Sequence, residues 1–161
     1  MSKKYAVAVV GATGLVGEAM RQVLEEREFP VGRFVPLASA RSAGRSVTFR
    51  GAEHEVEALD DFNFSGIDIA LFSAGASVSA EAAPRAAAAG AVVIDNTSQF
   101  RYDDDIPLVV PECNAERIAD YRNRGIIANP NCSTIQLVVA LKPIQDAAGI
   151  ERVNVATYQA V

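Results

Sequence analysis

The sequence predicts an α/β protein built on a doubly wound, mostly parallel Rossmann-type sheet. Three observations carry that prediction. Short runs rich in valine, isoleucine and other apolar residues alternate with segments of helical period. A glycine-rich turn directly follows the first of these runs and opens the first helix. No internal repeat, low-complexity tract or interdomain linker interrupts the alternation.

Tyr5–Val10 is apolar on both faces, as a central parallel strand requires. Gly11–Gly17 is a turn running into a helix through about Arg27, with Ala19, Met20, Val23 and Leu24 on its buried side. Phe29-Pro30 ends that helix, and Phe34–Leu37 is the second strand. Arg45–Phe49 and Glu53–Glu57, around Gly51, alternate charged and apolar residues and read as an exposed hairpin. Ile67–Phe72 is the next buried strand, followed by an alanine-rich helix, Ser77–Ala89, closed by Gly90. Ala91–Ile94, Leu108–Val110 and Ile126–Ala128 are further strands. Cys132 begins a helix in which Pro143 removes a backbone hydrogen bond, so that either the helix kinks there or a second one starts. Val153–Val161 reads as a strand inside which the chain stops, as in a fragment of a longer enzyme.

Composition narrows the function. A chain of 161 residues, 50% hydrophobic and 22% charged, has the interior of one ordinary globular domain. A net charge of −5 argues against nucleic acid or an anionic membrane surface as partner. No apolar run approaches the roughly 20 residues of a membrane span. The apolar stretch after Lys3-Lys4 is also shorter than the roughly 7–15 residues of a signal-peptide core, so the expected location is the cytoplasm. Two cysteines, Cys113 and Cys132, make no disulfide framework, in keeping with a reducing compartment. No cluster of metal-ligating residues is expected.

The turn Gly11-Ala12-Thr13-Gly14-Leu15-Val16-Gly17 spaces its glycines as G-x-x-G-x-x-G, a departure from the G-x-G-x-x-G fingerprint. The mechanics are shared: a tight turn, close approach of backbone to a pyrophosphate, and a helix N-terminus aimed at the anion. After the second strand an NAD site would place an acid for the ribose 2′-hydroxyl. This chain has Ser39, Arg41 and Ser42 there, which suit the 2′-phosphate of NADP. Ser73-Ala74-Gly75 would let the backbone pass close to the dinucleotide bridge, while Ser77 serves equally well as the N-cap of the next helix.

Cys132 follows a short buried strand and stands where a helix begins, in Asn129-Pro130-Asn131-Cys132-Ser133-Thr134. The macrodipole and the unpaired N–H groups at that end favour the thiolate, the nucleophilic form. A cysteine and a nicotinamide together point to attack on a carbonyl followed by hydride transfer. Arg101 leaves the carboxyl end of the Ala91–Ile94 strand; it either holds an anion or pairs with Asp103, Asp104 or Asp105. His54, between Glu53 and Glu55, reads as facing solvent and has no part in the site.

These stretches together resemble the aspartate-semialdehyde dehydrogenase family. The matching motifs are G-A-T-G-L-V-G at 11–17, S-A-R-S-A-G at 39–44, L-F-S-A-G at 71–75 and V-I-D-N-T-S-Q-F-R at 93–101. They continue with P-L-V-V-P-E-C-N at 107–114, N-P-N-C-S-T at 129–134 and Y-Q-A-V at 158–161, in the family's order along the whole chain. Cys113 replaces the valine more usual in that family and reads as a small buried hydrophobe, and Thr97 replaces serine with the hydroxyl kept. N-acetyl-γ-glutamyl-phosphate reductases carry glycine where this chain has Asn131, which sets that alternative second. A non-catalytic NADP-binding module is the third.

The resemblance implies that Cys132 forms a thiohemiacetal with aspartate 4-semialdehyde, then a thioester that inorganic phosphate releases as L-aspartyl 4-phosphate. In cells the reverse direction would feed lysine, threonine and methionine synthesis. It further implies that the Cys132 N–H and the Asn131 side chain stabilise the oxyanion, Arg101 holds phosphate, and Gln159 orients the substrate. Thr13, Gly14, Leu15 and Val16, with Arg41 and Ser42, would hold NADP. Residues 1–150 are then the NADP-binding domain with its cysteine-bearing helix, and 151–161 begin a truncated substrate and dimerisation domain. The general acid/base histidine and the arginine for the substrate carboxylate would lie beyond residue 161. The family is homo-oligomeric.

Overall fold

The computed structural model describes residues 3–158. β1 (Tyr5–Val10) leads through the glycine turn into α1 (Leu15–Glu26), and β2 (Val31–Ala38) follows. A single 3-10 turn, Ala40–Ser42, precedes the β3 (Ser46–Phe49) and β4 (Ala52–Glu55) hairpin and the two-residue strand β5 (Glu57–Ala58). Next come β6 (Ile69–Phe72), α2 (Ala76–Ala88) and β7 (Val92–Asp95). A short helix α3 (Pro111–Asn114) and a 3-10 segment, Ala115–Asn123, lead to β8 (Ile126–Ala128) and α4 (Cys132–Ala148).

Six strands form one parallel sheet in the order β5-β2-β1-β6-β7-β8, and β3 and β4 pair antiparallel beside it. This is the strand order of a dinucleotide-binding fold, with its reversal between β1 and β6. Alternate residues of β1 feed two cores. Ala8 and Val10 pack with Phe64, Phe72 and the Ala82–Ala86 face of α2, whereas Val7 and Val9 pack with Phe34, Met20 and Leu24. A strand buried on both faces therefore needs apolar residues without alternation, as the sequence has them.

Several sequence expectations are corrected. β2 starts at Val31, three residues before the predicted Phe34, because Val31 and Arg33 pair with Tyr5 and Ala6 of β1, the exposed Gly32 bulging between them. The hairpin is not wholly exposed: Val47 and Phe49 are buried, and His54 lies half-buried against the rings of Phe34 and Phe49 at 5.1 and 6.2 Å. Cys113 is likewise only half-buried.

Leu108–Val110 makes a single bridge, Leu108 to Ala128, instead of a strand. The Asn114 side chain takes the hydrogen bonds a neighbouring strand would have made: Val110 N–H donates to its Oδ1 (2.8 Å) and its Nδ2 donates to the Leu108 carbonyl (3.0 Å). Pro111 then starts α3, its fixed φ suiting the first helical position. α4 runs unbroken through Pro143, so no second helix starts there. Residues 153–158 carry no strand and lie exposed, and the rest of the predicted last strand, 159–161, falls outside the described residues. Among the described residues no helix is long and apolar enough to cross a membrane.

Candidate active site

The site lies along the carboxyl edge of the sheet, where four successive loops follow β1, β6, β7 and β8. Gly11 bends the first of them with φ +88°, and a Cβ there would come within 2.9 Å of the Ser73 hydroxyl in the loop after β6. The Ser73 hydroxyl donates to the Val10 carbonyl at 3.2 Å, locking the two turns together at the switch point. Gly17 is needed for a different reason: a Cβ would lie 2.8 Å from the Ala12 Cα, so only glycine lets α1 pack on the turn. Gly14 is unlike either. Its φ is −88°, and a Cβ would meet only the Gly11 carbonyl, at an ordinary 3.5 Å. Nothing in the chain requires that glycine, and it borders an open cleft.

That cleft has a volume of about 470 Å³. Of the predicted cofactor residues it takes in Gly11, Thr13, Gly14, Ser39, Arg41, Ser42, Ser73 and Ala74. It leaves out Leu15 and Val16, which are 86% and 45% exposed on the first turn of α1. Gly75 also lies outside the lining: it is the N-cap of α2 with φ +102°, and Ser77, the alternative cap, lies within the helix and caps nothing. Arg41 stands exposed at the rim, with no ion pair among the described residues.

Sequence reasoning missed the opposite wall. Val78, Glu81, Ala82 and Arg85 of α2 face the cleft, with Leu59 and Asp60 at its floor. The spacing of those four α2 residues, i, i+3, i+4 and i+7, was the available signal for one shared helix face. The Arg85 guanidinium donates to the Phe62 carbonyl at 3.2 Å, fixing it beside the loop that carries Asp60.

At the other end of the same edge, Cys132 is exposed as the first residue of α4, and its Sγ lies 3.8 Å from Asn131 Oδ1. Asn131 is the N-cap. Its Oδ1 accepts from the Ser133 N–H (3.0 Å) and the Ser133 hydroxyl (2.7 Å), so the donor half of the amide, Nδ2, takes no part in the cap.

Arg101 does not pair with the acids that follow it. Arg124 holds Asp103 and Asp105 at 3.0 and 3.3 Å, while Arg101 donates through Nε to the Asn129 carbonyl (3.0 Å) and through Nη2 to the Asn96 carbonyl (3.1 Å). Its guanidinium is thereby tied to the loops after β7 and β8, the second of which ends in Cys132. Two strands, β6 and β7, separate β1 from β8, so the glycine turn and the cysteine loop are about 14 Å apart across the sheet. Gln159 lies outside the described residues. No group of residues that would hold a metal ion occurs among the described residues.

Residues 6–121 match the family model described as "Semialdehyde dehydrogenase, NAD binding domain". The chain is similar to the aspartate-semialdehyde dehydrogenase of Legionella pneumophila, 64% identical over 161 residues, covering 100% of this chain and 46% of the relative. In structure it resembles aspartate semialdehyde dehydrogenase II of Vibrio cholerae complexed with ASA. The TM-score is 0.90 and the identity 62%, over 92% of this chain and 49% of that one. The Candida albicans enzyme, solved with NADP, gives a TM-score of 0.76 at 28% identity, over 92% and 48% of the two chains. The chain thus spans about half the length of the curated relatives it matches.

Proposed function

Because this chain belongs to the semialdehyde dehydrogenase family, through its NAD-binding domain, we propose that it carries the cofactor site and nucleophile of an NADP-dependent, phosphorylating aspartate-semialdehyde dehydrogenase. One observation supports this above the others. The glycine turn, the Ser73 loop, the Arg101 loop and the Cys132 loop stand side by side on one sheet edge, in the order a dinucleotide would meet them on its way to the thiol.

The residues of the cleft fit the cofactor. The space at Gly14 admits a pyrophosphate close to the backbone, and Arg41 with Ser39 and Ser42 offers a guanidinium and two hydroxyls to a 2′-phosphate. NADP, when bound, accepts the hydride that leaves the substrate carbon.

The Cys132 thiolate attacks the aldehyde carbon of aspartate 4-semialdehyde, forming the C–S bond of a thiohemiacetal. The negative charge on its oxygen meets the N–H of Cys132 and the Nδ2 of Asn131, both at the positive end of α4. Loss of the hydride leaves a thioester on Cys132, which keeps the free energy of oxidation. Inorganic phosphate, held by Arg101, attacks the thioester carbonyl; the C–S bond breaks, L-aspartyl 4-phosphate leaves, and the thiolate is restored. Gln159 orients the substrate. In cells the reduction of aspartyl phosphate is the direction used, in amino-acid synthesis in the cytoplasm, by a homo-oligomer. His54, packed into the hairpin, has no role; the general acid/base and the partner of the substrate carboxylate belong to the other half of the enzyme.

The test is the appearance of NADPH absorbance with aspartate 4-semialdehyde in the full-length enzyme, with and without phosphate. Phosphate-dependent turnover lost in Cys132→Ser supports the reading. Equal turnover without phosphate, or on replacing NADP by NAD, counts against it.

A further inference from the structure

Asn96 and Asn129 each stand first after a strand, β7 and β8, and both are half-buried. Asn129 Nδ2 donates to Asn96 Oδ1 at 2.6 Å, and the Asn129 N–H donates to the Asp95 carbonyl at 3.1 Å. The main-chain carbonyls of the same two asparagines are the acceptors that hold the Arg101 guanidinium. Three hydrogen bonds therefore close a ring: side chain to side chain between the asparagines, and guanidinium to carbonyl from each of them.

The ring has a mechanical consequence. The two carbonyls belong to different loops, and the guanidinium is held in one place only while those loops keep their spacing. Arg101 supplies its charge to two neutral carbonyls, which do not neutralise it, and Nη1 takes part in neither bond. Pro130, buried next to Asn129, stiffens the step from this ring to the Asn131 cap and Cys132. We infer that Asn96 and Asn129 are positioning residues for the reaction: they clasp the β7 and β8 loops so that the Arg101 charge is held in register with the Cys132 loop. The inference rests on Arg101 being the anion-binding residue of the proposed function.

The test uses the full chain in a Cys113→Ser background and follows alkylation of Cys132 by iodoacetate, an anion, and by iodoacetamide, which is neutral. The ratio of the two rates reports positive charge near the thiol. Arg101→Ala should lower that ratio on the order of fivefold or more, fivefold being the effect of one unit charge about 4 Å from the reagent's carboxylate across bulk water. Asn96→Ala and Asn129→Ala should each lower it toward the same value, and the double variant should add nothing further. The iodoacetamide rate should stay within about twofold, which a general loosening of the site would not allow. Thermal unfolding identifies the folded variants, and either asparagine variant alone is sufficient for the comparison. A ratio kept in both asparagine variants but lost in Arg101→Ala overturns the clasp and leaves the anion role of Arg101 standing. A ratio kept in Arg101→Ala removes that anion role, and the inference with it.

Discussion

The hydroxyl of Ser79 on α2 donates to the carboxylate of Asp95 at the end of β7 across 2.9 Å, and both side chains are wholly excluded from solvent. Thr97 completes the shell through its N–H (3.0 Å) and its hydroxyl (2.8 Å), so this buried carboxylate is satisfied entirely by neutral donors. The helix that walls the cleft beside the glycine turn is thereby tied to the strand that leads into the Arg101 loop. Ser79→Ala should cost about 1–3 kcal/mol in urea denaturation, since the oxygen left behind is buried with one donor fewer. Unchanged stability would mean that Thr97 alone satisfies the carboxylate.

The glycine turn yields a discriminating pair. Gly17→Ala should destabilise by about 1–3 kcal/mol, because the new Cβ meets the Ala12 backbone. Gly14→Ala should leave the unfolding free energy within about 1 kcal/mol, since its φ of −88° and open surroundings accept a side chain. The same change should weaken NADP binding by roughly tenfold or more, measured by calorimetry, because the added methyl fills space kept for the pyrophosphate. Full affinity in Gly14→Ala would place the cofactor elsewhere.

Arg41→Ala should reduce preference for NADP over NAD by roughly 10- to 100-fold, the worth of charge-assisted bonds to a phosphate. The check is a pair of dissociation constants. A parallel loss for both cofactors would assign Arg41 to the shared pyrophosphate instead.

The two ends of the Asn131 amide are separable: Oδ1 caps α4, and the proposed function gives Nδ2 to the oxyanion. Asn131→Asp keeps the oxygen that caps α4 and removes the Nδ2 donor, so stability should hold while kcat of the full-length enzyme falls about 100-fold or more. Asn131→Ala loses both and should also cost about 1 kcal/mol. Equal kcat in Asn131→Asp and wild type would leave the oxyanion to the Cys132 N–H alone.

Much of this was legible in the sequence, for reasons visible in particular elements. Tyr5–Val10 and Ile126–Ala128 are apolar runs buried on both faces, and both strands have the predicted bounds. The glycine turn and the Ser73 loop were readable as tight turns because glycine and small residues answer to backbone geometry, which is local. What depended on a distant partner was not readable. Leu108–Val110 has the composition of a strand and Val109 donates to Ala128 of β8, but Asn114 takes the Val110 N–H and the Leu108 carbonyl on the other side. The hairpin alternates as an exposed ribbon would, yet buries Val47 and Phe49, and His54 finds two rings to pack on. Asp60, Glu81 and Arg85 reach the cleft through the placement of a helix and a loop, and the choice Arg101 makes between acids and carbonyls depends on Arg124 taking the acids.

α4, which presents Cys132, has no fully buried residue, whereas the sheet behind it has two closed cores. Within residues 3–158 the helix is held at its start by the Asn131 cap and leans on α3. Reactivity and abundance are therefore separable targets for selection. A substitution in the β1–β6 core changes how much folded protein a cell holds, whereas on the proposed reading one at Arg101 or Cys132 changes what each molecule does. A lineage can drift along one axis while the other stays fixed.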